Sequence, residues 1–282
     1  MDAGQTALLG AIAGFTIYLG LPLGRLRSLS ARWRSFLSVF SAGILLFIFW
    51  DVLTQSHDIL ESSLTEARTS GAWGSFGLGA LLMVMGFGAG AFGLGWLEQA
   101  VLRRRPPPPI AGGSTLAGDA GLDVAVLAHQ ARQAALTLGM LIAVAIGLHN
   151  FSEGLAIGVS ARAGEVGLAT TLIVGFALHN ATEGFGIVGP LGSVRPTWRW
   201  LALAGLIGGG PTFLGTLVGY QVSSPPLELC FYALAAGAIL YVVGQLWGAA
   251  QAKVSANLVL TGIVAGFLLG LGSDLVITYA GG

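Results

Sequence analysis

Charge is what this chain has least of. Lysine and arginine together number 13 and aspartate and glutamate 13 in 282 residues, so 9% of positions are charged. A soluble domain carries about 25%. The formal charge of zero has no signature of nucleic-acid binding, and no nucleic acid is expected as a partner. Cysteine is nearly absent: Cys230 stands alone, which excludes an intrachain disulfide and leaves the redox compartment unmarked. The opening stretch, MDAGQTALLGAIAGFTIYLGLPLG, lacks the basic region and cleavage pattern of a signal peptide and reads as a first membrane span. Alternating ten-residue units are missing too, which argues against a membrane β-barrel. What the chain has in quantity is hydrophobic residues, 54%, and 45 glycines. Apolar runs of about 20 residues cross a hydrocarbon core of about 30 Å, and glycine lets helices in lipid approach closely.

Eight apolar spans can be drawn, at about 5–24, 35–56, 73–102, 133–160, 166–190, 200–221, 227–249 and 257–280. The expected fold is an all-α membrane protein: an eight-helix transmembrane bundle in one domain over 1–282, embedded in the lipid bilayer. The basic residues test the count. Arg25, Arg27, Arg32, Arg34, Arg103, Arg104, Arg105, Arg132, Arg195, Arg199 and Lys253 fall on one side of the membrane, and only Arg68 and Arg162 on the other. By the positive-inside rule both termini are then outside the cytoplasm, in an inner or plasma membrane. The connection at about 103–132 opens RRRPPPPIAGGS, and its prolines and glycines read as a cytoplasmic linker. Glycine pairs at helical spacing, Gly10/Gly14, Gly215/Gly219 and Gly262/Gly266/Gly270, predict close helix packing.

Against this apolar background one pattern stands out. HNFSEG at 149–154 is repeated as HNATEG at 179–184. Glu153 is the one charged residue between Arg132 and Arg162, and Glu183 the one between Glu165 and Arg195. Each glutamate lies near the middle of its span, and the two spans run in opposite directions, so both motifs reach the same depth. His149 and Glu153 are one helical turn apart, with Asn150 on the same side; His179, Asn180 and Glu183 repeat this. Two such faces offer two imidazoles, two carboxylates and two amides. That mixture suits first-row divalent ions such as zinc, iron or manganese, whereas calcium prefers oxygen alone. A charged side chain at the centre of a span costs about 2.5–3.5 kcal/mol on insertion scales. No Lys or Arg in either span offsets it, and a divalent cation does.

The two motifs, in spans four and five, resemble those of the ZIP (Zrt/Irt-like) family, which moves zinc, iron and related divalent ions toward the cytoplasm. Eight spans, both termini outside and a long loop between spans three and four fit the same resemblance. It implies that His149, Glu153, His179 and Glu183 form a first metal position at the membrane centre, and that Asn150 and Asn180 adjoin a second. It further implies alternating access by relative movement of helix groups, and a homodimer. The metal is the transported substrate, and no cofactor is expected. Several positions depart from the family pattern. Ser152 and Thr182 replace the proline often found before the motif glutamate; Gly210 replaces the glutamate often found before the span-six proline, here Pro211; Gln245 replaces an acidic residue of span seven. Two adjacent divalent ions bring four positive charges, and the motif glutamates balance two, so one ion is expected rather than a bridged pair.

Asp51, in FIFWDVLTQS toward the outer end of span two, is a candidate entrance residue. Asp274 reads as an interfacial carboxylate of span eight. His57, Asp58 and Glu61 form an outer-loop cluster, and His129 sits in the linker with Asp119 and Asp123 nearby. Pro211 cannot donate a backbone hydrogen bond, which leaves the Ile207 carbonyl without its usual partner. A rival function is a zinc-dependent intramembrane hydrolase, but the HExxH arrangement is absent: the motif is His-x-x-x-Glu. A third reading is a non-transporting metal sensor. The chain is not expected to be an enzyme.

Overall fold

The structure, a computed structural model, describes residues 2–26, 30–103, 119–162, 180–222, 224–251 and 255–279. Every regular element among them is helical. In chain order these are α1 (Ala3–Phe15), the short α2 (Ile17–Gly20), a 3₁₀ turn (Leu21–Arg25), α3 (Ala31–Ser70), α4 (Trp73–Arg103), α5 (Asp119–Arg162), α6 (180–188), a 3₁₀ turn (Gly189–Leu191), α7 (Trp198–Gln221), α8 (Pro225–Gln251) and α9 (Ala256–Tyr279). Seven stretches among the described residues are long and apolar enough to cross a membrane, beginning with Ala3–Arg25 and ending with Ala256–Val276. The fifth expected span is described only from residue 180.

Local chemistry explains the helix ends. Asp2 caps α1: its carboxylate accepts from the Gln5 N–H at 2.7 Å, and the Gln5 side chain accepts from the Asp2 N–H at 3.1 Å. Thr197 caps α7 by accepting from the Trp200 N–H at 3.1 Å. Helix α3 is stopped by Gly71, whose φ of 79° is left-handed.

Two helices run beyond the expected spans. Helix α3 contains the apolar run at 35–56 and extends past it. The helix has 40 residues, about 60 Å at 1.5 Å rise, so it continues well past a ~30 Å core. Its C-terminal stretch, HDILESSLTEARTS, is polar but free of proline and interior glycine, so the helix carries on. The linker shortens for the same reason: α5 starts at Asp119, so residues 119–132 are helix, and residues 104–118 lie outside the described set.

The helices sort into two groups. In one, α7 packs against α5 and α1; in the other, α3 and α4 pack against α8, and α3 against α9. The groups meet where α5 touches α8. Lipid supplies no hydrophobic drive between helices, so small residues decide these contacts. A Cβ on Gly154 or Gly158 of α5 would strike the Thr212 or Thr216 carbonyl of α7, and one on Gly215 or Gly219 would strike the Phe151 or Leu155 carbonyl in return. The expected glycine pairs are therefore contact residues. Gly10 and Gly14 face Thr216, Gly209 and Thr212, while Gly262, Gly266 and Gly270 face α3. Leu81, Val84, Phe92 and Trp96 of α4 stay exposed, as a lipid-facing side requires.

Candidate metal centre

His149, Glu153 and Glu183 are the buried imidazole and carboxylates among the described residues, with exposures of 1%, 7% and 0%. Helix α5 supplies the first two, one turn apart, and α6 the third. His149 Nε2 lies 3.3 Å from a Glu153 oxygen and 3.7 Å from a Glu183 oxygen. Ligands bound at about 2.1 Å to a four-coordinate ion stand roughly 3.4 Å apart. Each His–Glu edge is thus close to the edge of a tetrahedral site. The trio is still open, because among the described residues the one group whose donor atoms all lie within 4.8 Å of one another is His57, Asp58 and Glu61. The two buried carboxylates approach the imidazole from different helices, and holding one ion requires them to draw in around it.

Asn150 and Asn180 are fully buried. The Asn150 amide donates to the Gly208 carbonyl of α7 at 3.0 Å, and the Asn180 amide to the Ala13 carbonyl of α1 at 2.8 Å. The side-chain oxygens of both have no hydrogen-bond donor among the described residues. Such buried, unoccupied acceptors are costly in an apolar setting and suit a cation or its waters. His179, the fourth expected ligand of the first position, lies outside the described residues.

Asp51 is half-buried in the middle of α3 rather than at its outer end, because the helix runs on for 19 residues beyond it. It is close enough for its charge to act on His149, Glu153 and Asp274. Asp274 of α9 acts in turn on Glu153. The carboxylates of α3, α5, α6 and α9 therefore share one electrostatic neighbourhood. Sequence reasoning did not assign Asp274 to it, since nothing local distinguishes an interfacial carboxylate from one turned toward the bundle.

The remaining candidates stand apart. His57 is 3.4 Å from Asp58 and 3.8 Å from Glu61, all on the outer stretch of α3 and all exposed. His129 is exposed near the start of α5, close to where Asp119 and Asp123 fall. Gln245 of α8 donates to Glu98 of α4 at 3.1 Å, and Tyr241 donates to the same carboxylate.

Comparison with known proteins bears on this geometry. The sequence model of ZIP zinc transporters matches residues 124–244, which carry both motifs. The zinc transporter ZupT of Corynebacterium glutamicum is 30% identical over 233 residues, covering 80% of this chain and 81% of that protein.

Proposed function

The chain belongs to the ZIP family of zinc transporters, and we propose that it carries zinc, or a related divalent ion such as iron, manganese or cadmium, toward the cytoplasm through a site at the membrane centre. It is a multi-pass membrane protein of a metal-transporting family, and its place is the cell (inner or plasma) membrane. The ligands of the ion are His149, Glu153, His179 and Glu183, with Asn150 and Asn180 adjoining them and Asp51 on the approach. One observation carries this reading: two buried carboxylates from separate helices face a single buried imidazole. Two ionised glutamates balance one divalent charge, so one ion is held at a time. Binding requires neutral imidazole and ionised carboxylate and releases protons from the site. A negative interior favours entry by about 2.3 kcal/mol per charge per 100 mV, doubled for a divalent ion. Both termini lie outside the cytoplasm, and the working unit is a homodimer.

The test is zinc uptake into vesicles holding the purified chain. Glu153→Ala and Glu183→Ala each abolish uptake while the protein stays folded. Normal uptake by both variants refutes the site. Uptake of a panel of divalent ions by the parent then orders their preference. Hydrolysis by the purified zinc-bound chain would instead favour the enzyme reading.

A further inference from the structure

The two motifs do the same thing to two different helices. Asn150 donates to the Gly208 carbonyl, and one turn later Gly154 lies so close to the Thr212 carbonyl that a Cβ could not fit. Asn180 donates to the Ala13 carbonyl, and one turn later Gly184 crowds the Ile17 carbonyl in the same way. The offsets agree on both sides: 150 and 154 meet 208 and 212, and 180 and 184 meet 13 and 17.

The Gly208 carbonyl lies within the continuous helix α7, in the turn before Pro211, and the Ala13 carbonyl lies in the last turn of α1. Pro211 has no N–H to give, and the carbonyl it leaves without a helical donor is that of Ile207, next to Gly208. Ala13 precedes Thr16, where α1 ends and α2 begins, and the Thr16 hydroxyl turns back to the same carbonyl at 2.5 Å. In lipid a buried amide needs an acceptor, and each asparagine finds a main-chain carbonyl of the neighbouring helix.

We infer that Asn150 with Gly154, and Asn180 with Gly184, are positioning residues: two equivalent clasps that lock α5 onto α7 in the turn before Pro211 and α6 onto α1 in the turn before Thr16. This accounts for the six-residue motif as two adjacent stripes. Successive residues on a helix are about 100° apart, so the Asn–Gly stripe lies beside the His–Glu stripe, displaced by one residue. The His–Glu stripe faces the ion, and the Asn–Gly stripe faces the neighbouring helix. A slip of one turn moves a carboxylate by about 5.4 Å, out of reach of its imidazole. The clasps thus hold Glu153 and Glu183 at a common depth.

The inference is tested on the zinc-free full-length chain by amide hydrogen exchange, where a residue serving only as a metal ligand has no effect. Asn150→Ala speeds exchange about fivefold to tenfold in residues 206–216 of α7 and leaves 10–20 unchanged. Asn180→Ala does the converse. Glu153→Ala changes neither segment. In vesicles, Asn150→Asp keeps an oxygen in place but cannot donate to Gly208, and it raises the zinc KM about tenfold with a much smaller effect on kcat. Gly154→Ala removes no ligand and shifts KM in the same direction; it serves also where Asn150→Asp does not fold. Unchanged exchange in both asparagine variants, or a parent-like KM in Gly154→Ala, overturns the clasps. Failure here leaves the proposed transport site standing, because that site is judged by the glutamate variants.

Discussion

Two clusters of imidazole and carboxylate side chains can be compared in one chain. His57, Asp58 and Glu61 are the tighter set, with all donor atoms within 4.8 Å, and they are exposed on the outer stretch of α3. His149, Glu153 and Glu183 are more open but buried. Proximity alone therefore ranks the exposed set first. In water, charges on neighbouring helical turns cost little and are screened within about 10 Å at 0.1 M salt. In the bundle the same charges are expensive until a cation balances them. The difference teaches that burial separates the two sets where ligand density does not.

The largest effect that sharpens this contrast is in the buried set. Glu153→Gln and Glu183→Gln keep shape and remove charge. Each weakens zinc binding by more than the 10–100-fold typical of losing an outer-shell partner. Titration calorimetry on the purified chain measures it, and near-parent affinity in either variant breaks the contrast. Next comes the frame around the site. Gly209→Ala drives a Cβ into the Gly14 carbonyl of α1 and destabilises the protein by about 1–3 kcal/mol. Gly77→Ala, on the open side of α4, is neutral or stabilises by up to about 1 kcal/mol. Thermal unfolding of the two variants in one detergent shows whether they part as expected.

Asp51 stands between the two regions. Asp51→Asn leaves the buried ligands in place but removes a charge that acts on His149 and Glu153, and it raises the uptake KM by roughly tenfold or less. The smallest effect belongs to the exposed set. The combined variant His57→Ala, Asp58→Asn, Glu61→Gln changes the uptake KM by less than about twofold at 0.15 M salt. A larger change would make the outer cluster part of the transport route.

Much of this was legible in the sequence. The duplicated motif, with a lone glutamate in each apolar span, singled out Glu153 and Glu183, which the structure buries on α5 and α6. The glycine spacings anticipated the seams at α7 and α9. Helix extent was harder to read, because hydropathy reports the membrane and not the helix: α3 continues to Ser70 and α5 starts at Asp119 on polar but helix-competent sequence. The second use of the asparagines was hidden as well. Their acceptors are 58 and 167 residues distant, and no local pattern says which carbonyl a buried amide will find.

Bound zinc per chain tests the central claim most directly. Elemental analysis of the purified full-length protein, equilibrated at micromolar free zinc, is made on the parent, on Glu153→Ala with Glu183→Ala, and on the combined His57, Asp58 and Glu61 variant. The account predicts one zinc per chain in the parent, one in the outer-cluster variant and essentially none in the double glutamate variant. Zinc retained without the two buried glutamates, or lost with the outer cluster, would contradict it.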